Sequence, residues 1–153
     1  MINYHYIECG LHNVFIHGLD FVTDDEGDEI VTIPYVNELH KMIALGIVSH
    51  KHSMSGDELR FLRSEMGYTQ AQLAVLVHHE RQSIGRWERG EFDIDSSAEA
   101  IIRRLSIEKL DLDSTDGIDD LSRFCVPATE TQTINIKMEA NDNSSATYEL
   151  IAA

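Results

Sequence analysis

The chain has 153 residues, 42% apolar and 25% charged, with a formal net charge of −15. That length holds one domain or two small ones, and the acidic balance excludes a uniformly basic nucleic-acid coat. No apolar run reaches the roughly 18 residues of a membrane span, the first residues carry no basic or apolar leader, and Cys9 and Cys125 offer no disulfide framework, so a soluble cytoplasmic protein without membrane partners is expected.

Residues 6–9, 14–19, 21–23 and 29–33 are short runs rich in β-branched and aromatic residues, and they read as strands. The cluster Asp24-Asp25-Glu26-Gly27-Asp28 predicts a hairpin turn between the last two. After Pro34 the period changes. Val36, Leu39, Ile43 and Ile47 fall at helical spacing and predict an amphipathic helix over about 35–48. Ser49-His50-Lys51-His52-Ser53 reads as a solvated polar linker.

Four helices are predicted in the middle third. Ser55 stands three residues before Glu58, Thr69 three before Gln72 and Ser96 three before Glu99, so three capping boxes are expected. Gly67 stands where the first of these helices would stop, and a further helix spans about 81–88 and ends before Gly90. Beyond 105, Ile118, Leu121 and Phe124 or Cys125 predict one short helix. Residues 131–138 and 146–151 are β-prone, and Asn141-Asp142-Asn143-Ser144-Ser145 would turn a hairpin between them. Residues 106–153 carry ten acids, so parts of this tail are expected to be disordered. The fold class that follows is α+β, in three segments. Residues 1–52 form a small β unit plus helix for partner or dimer contact. Residues 53–112 form an all-α domain, and 113–153 an acidic tail with a possible hairpin.

Arginine is uneven along the chain. Arg60, Arg63, Arg81, Arg86, Arg89, Arg103 and Arg104 lie in the middle third, and elsewhere only Arg123 occurs. An anionic polymer would therefore meet the middle. The stretch from Glu58 to Gly90 resembles the helix-turn-helix of the Cro and lambda-repressor (XRE) class. Thr69-Gln70-Ala71-Gln72-Leu73-Ala74 looks like that family's second helix. Arg81-Gln82-Ser83-Ile84-Gly85-Arg86-Trp87-Glu88-Arg89-Gly90 looks like its recognition helix and closing glycine. The resemblance covers about 58–105 and implies a lambda-repressor-like helical domain on double-stranded DNA.

Elementary chemistry agrees. Ala74 would supply the small residue two steeply crossing helices need, with Leu73, Ile84 and Trp87 as the wedge. Arg81, Gln82, Ser83 and Arg86 would face the major groove, where arginine pairs with guanine and glutamine with adenine. Thr69 and Gln70 begin a helix whose free N–H groups suit a phosphate. His79 and Arg89 would add contacts, with Arg63 as a further phosphate candidate. Three departures from the family stand out: His78 replaces the usual turn glycine, His79 an apolar residue, and Glu80 the Ser or Thr N-cap.

The N-terminal third is similar in order to the YgiT/MqsA-type antitoxins, which place a small zinc-binding β unit before the DNA-binding domain. Only Cys9, with His12 at matching spacing, stands where those carry two Cys-x-x-Cys pairs. His5, Cys9, His12 and His17 scatter over a strand and a turn, so neither metal nor cofactor is expected. Residues 111–117 lack the closing glutamate of a calcium loop, and no enzymatic motif appears. The resulting expectation is an autoregulatory repressor binding an inverted repeat as a homodimer. The alternative is an antitoxin that neutralises a toxin protein by direct binding.

Overall fold

The computed structural model describes residues 2–19, 21–127, 130–140 and 146–151. In chain order these form β1 (Ile2–His5), β2 (Val14–Leu19), β3 (Phe21–Thr23), β4 (Glu29–Val31), α1 (Val36–Val48), α2 (Gly56–Met66), α3 (Gln70–Leu76), α4 (Arg81–Glu88), α5 (Ser96–Lys109), α6 (Ile118–Phe124), β5 (Ile134–Ala140) and β6 (Ala146–Leu150). The architecture is mixed α+β. Among the described residues no helix is long and apolar enough to cross a membrane.

Alternation builds the sheet. In β2, Val14 and Ile16 are fully buried while Phe15 and His17 lie on the other face. Ile134 and Ile136 of β5 repeat the pattern, and the two strands pair in parallel with Val14 opposite Ile134 and Ile16 opposite Ile136. The sheet runs β1-β2-β5-β6, with β1 antiparallel to β2 and β6 antiparallel to β5. Its inner row packs on α1, whose Leu39, Ile43, Ala44 and Ile47 are buried at the spacing the sequence predicts. On the outer face His17 sits between the side-chain oxygens of Asn3 and Asn135 at 2.6 and 3.0 Å, and His5 stacks on Phe15. The predicted acidic turn is present: Asp24 Oδ1 accepts from the N–H groups of Glu26 and Asp28 and joins β3 to β4.

Four expectations are corrected. Residues 6–9 are not a strand. The chain must reverse between β1 and β2, and that reversal uses them: Gly10 takes a left-handed φ of 89° and bonds back to Ile7. The predicted capping box at Ser96 does not form. Asp95, one residue earlier, accepts from Ala98 N at 3.0 Å, and the Glu99 carboxylate turns to Arg103 instead.

The tail is not a separate acidic segment either. Burial of Ile134, Ile136 and Tyr148 outweighs its acid count and places β5 and β6 in the same sheet as β1 and β2. The proposed turn at 141–145 lies outside the described residues. Finally, the linker after α1 is not simply solvated. His50 is buried, with Nε2 2.8 Å from Glu58 Oε2. The carbonyls of Val48, His50 and His52 accept from the Arg103 guanidinium, which is fully buried on α5 beside Glu99.

Candidate nucleic-acid interface

The centre of the chain is a pair of short helices, α3 and α4, standing on α2. Each start is set locally. Ser55 and Glu58 cap α2 reciprocally, and Thr69 and Gln72 do the same for α3, as the spacing predicts. Each stop follows one pattern. The N–H of Tyr68 bonds Arg63 O, that of His79 bonds Ala74 O and that of Glu91 bonds Arg86 O, closing a left-handed residue at Gly67, His78 and Gly90. His78 therefore adopts φ 57° where its two counterparts are glycine, so the turn keeps its geometry without the usual residue.

Leu73, Ala74, Ile84 and Trp87 are buried between these helices. At Gly85 an added Cβ would meet Gln70 of α3 at an ordinary 3.6 Å and the Arg89 guanidinium at the end of its own helix at 3.1 Å. Gly56 matters more. A Cβ there would sit 2.4 Å from Trp87 O and 2.5 Å from Glu88 O, so its absence lets the first turn of α2 lie directly on the last turn of α4. The positive end of one helix thereby meets the negative end of the other.

Glu88 fixes α4 on α2. Its carboxylate is wholly buried and accepts two bonds from Arg63, at 2.7 and 2.9 Å, with Arg60 and Gln70 as further donors. Burial alone would push the Glu88 carboxyl up. The Arg63 guanidinium, together with Gln70 and Arg60, more than reverses that and holds it below the ordinary 4.5, while Glu88 in turn raises Arg63. A lowered folded value means the carboxylate stabilises the fold above the unfolded value and stops doing so as pH falls through the folded one. The stability gap between wild type and Glu88→Gln should therefore be widest near neutrality, about 3–5 kcal/mol, and close progressively below about pH 4.5. Urea unfolding at stepped pH checks this, and a gap unchanged down to pH 3 would contradict it.

The predicted contact residues divide into two groups. Arg81, Gln82 and Arg86 are exposed on α4 and Ser83 is half-buried beside them. Arg81 and Gln82 have no ion pair or side-chain hydrogen bond among the described residues. Arg86 lies over the Phe92 ring at 5.7 Å. Thr69 is exposed at the start of α3, though its hydroxyl is used in the cap.

The others are engaged with the protein itself. Gln70 is half-buried and donates to Glu88. His79 sets its ring edge-on to Trp87 at 4.8 Å, with Nε2 3.6 Å from Asp95. Arg89 makes a fork with Glu91 at 3.2 Å on both arms and holds that carboxyl below its usual range. Arg63, the further phosphate candidate, is committed to Glu88. Glu80 occupies the N-cap of α4 without a side-chain capping bond.

Sequence reasoning missed Glu88, Gly56 and Gly85. The signal for Glu88 was its place: an acid four residues after Ile84, hence on the inward face of α4 where an unpaired carboxylate needs a basic partner.

The histidine and cysteine set of the N-terminal unit faces other tasks. His5 Nε2 is 2.6 Å from His12 O, His17 bridges Asn3 and Asn135, and Cys9 Sγ donates to Tyr6 O. Burial raises the Cys9 thiol above its ordinary value, which disfavours the thiolate a metal wants. Among the described residues no three His, Cys, Asp or Glu side chains converge as a metal centre would need. No protein-family model, no curated protein and no solved structure matches the chain.

Proposed function

We propose that the chain is a sequence-specific DNA-binding transcriptional regulator, a repressor of its own operon that binds an inverted repeat as a dimer. In this reading 53–112 is a Cro/lambda-repressor-type unit, and α4 lies in the major groove with its first turn at the base edges. The observation that carries the reading is the solvent side of α4. Gln82 and Arg86 are one turn apart on a helix whose opposite side is locked into the core, and Arg81 stands beside them without an acidic partner among the described residues.

A net charge of −15 does not oppose this. The Debye length is about 8 Å at physiological salt, so acids beyond one or two side-chain lengths are screened and the local balance decides. Gln70, His79 and Arg89 then serve as supports for the reading helix, with the N–H groups at the start of α3 as the phosphate contact.

Duplex binding measured by fluorescence anisotropy tests the assignment. Arg81→Ala and Arg86→Ala should each weaken a selected duplex by about 1–3 kcal/mol with the melting temperature unchanged. Unaltered affinity in both variants would sink it.

A second reading, an antitoxin that binds a toxin protein directly, is favoured by one feature. The β3–β4 hairpin exposes Asp25, Glu26, Asp28 and Glu29, and no lysine or arginine precedes Lys41. Such a tip suits a basic, RNA-binding partner.

A further inference from the structure

We infer that the dimer forms by antiparallel pairing of β6 with β6 of a second copy, so that two four-stranded sheets join across a twofold axis at Tyr148. The inference rests on the dimeric-regulator reading for its purpose, but the pairing itself is independent of DNA.

β6 is the outermost strand of the sheet. Ile151 N donates to Asn135 O at 2.9 Å, and the register continues with Glu149 opposite Lys137 and Thr147 opposite Glu139. Backbone groups alternate sides along an antiparallel pair. Thr147 and Glu149 therefore point their N–H and C=O at β5, and Ala146, Tyr148 and Leu150 point theirs outward. The other sheet edge, β1, is blunted by a register irregularity between Ile2 and Asn3. β6 has no such device: its sequence Ala-Thr-Tyr-Glu-Leu contains neither lysine nor proline, and its pairing with β5 is regular.

A second copy fits this edge better than an unrelated strand because the register is self-complementary. With the axis at Tyr148, that residue meets Tyr148 of the second copy, and Ala146 meets Leu150. All the outward backbone groups then pair with each other. On the outer face Thr147 meets Glu149, so no acid faces an acid, and Lys137 already stands opposite Glu149 within each copy. Lys137 is ion-paired with Glu139 at 2.9 Å, so this face stays acidic; what lets two copies approach is that the register sets no acid directly opposite another. Apolar area flanks the edge. Tyr148 Oη donates to Pro34 O, which brings Tyr35 and Val36, exposed by 50% and 43%, to the same side.

The experiment is sedimentation of the full chain over a concentration series, with hydrogen exchange of the Tyr148 and Leu150 amides. Wild type should show a concentration-dependent dimer, with both amides protected in the dimer and exchanging in the monomer. Thr147→Glu opposes Glu149 on both sides of the axis and should raise the dissociation constant about tenfold; Thr147→Lys should lower it several-fold. Circular dichroism checks that both variants are folded. A monomeric wild type at every concentration would overturn the inference, as would a Thr147→Glu protein that dimerises as tightly as wild type, or amides protected equally in the monomer. A dimer that responds as predicted but captures no duplex would sink the regulator reading and leave this interface standing.

Discussion

Arg103→Met should cost about 3–5 kcal/mol of stability, a large share of the roughly 5–15 kcal/mol available to a domain of this size. The guanidinium is fully buried. It bonds Glu99 Oε2 through Nε and lies 2.8 Å from it through Nη2, and it also donates to the carbonyls of Val48, His50 and His52. Those carbonyls close α1 and begin the linker into α2, so one side chain fastens α5 to the junction between the sheet layer and the helical unit. Removing it strands the Glu99 carboxylate, whose Oε1 has no hydrogen-bond partner among the described residues. The loss comes mainly from that uncompensated charge rather than from the pair's own strength. Replacing Glu99 and Arg103 together by leucine and methionine should therefore recover the part due to that charge, while the three carbonyl bonds stay lost in both variants. Denaturant unfolding of the single and double variants decides the matter, and equal losses in both would contradict this account.

Trp87→Ala should cost about 3–5 kcal/mol by opening the wedge under α4. Trp87 is only 6% exposed and takes the His79 ring edge-on, and its carbonyl lies where Gly56 brings α2 against α4. Its loss should also lower duplex affinity, although it does not belong to the reading face, because α4 would no longer be held at a fixed angle. Thermal melting and anisotropy together separate the two effects. A melting temperature equal to wild type would show that the indole does not hold α4 in place.

Where the determinants are local, the sequence anticipates the structure. The capping boxes at Ser55 and Thr69, the left-handed stop at Gly67, the Asp24 turn and the helical spacing of α1 each need only a few neighbouring residues. Where they are distant it does not. The alternation of Ile134 and Ile136 announces a strand, but nothing local says that it enters beside β2, far back in the chain. The same holds for the commitment of Arg63 to Glu88, which removes an expected phosphate contact, and for the burial of His50 against Glu58. At Asp95 and Ser96 two competent caps stand side by side, and the commitment of Glu99 to distant Arg103 removes the partner that a box at Ser96 needs.

Selection of duplexes from a random pool, carried out in parallel with wild type and with Gln82→Ala, tests the reading helix most directly. Wild type should enrich an inverted repeat whose half-site centres lie about one helical turn, roughly 34 Å, apart. The Gln82→Ala protein should enrich the same repeat with one base position per half-site relaxed and the others kept. No enrichment by wild type, or an identical selected sequence from both proteins, would contradict the placement of α4 against base edges.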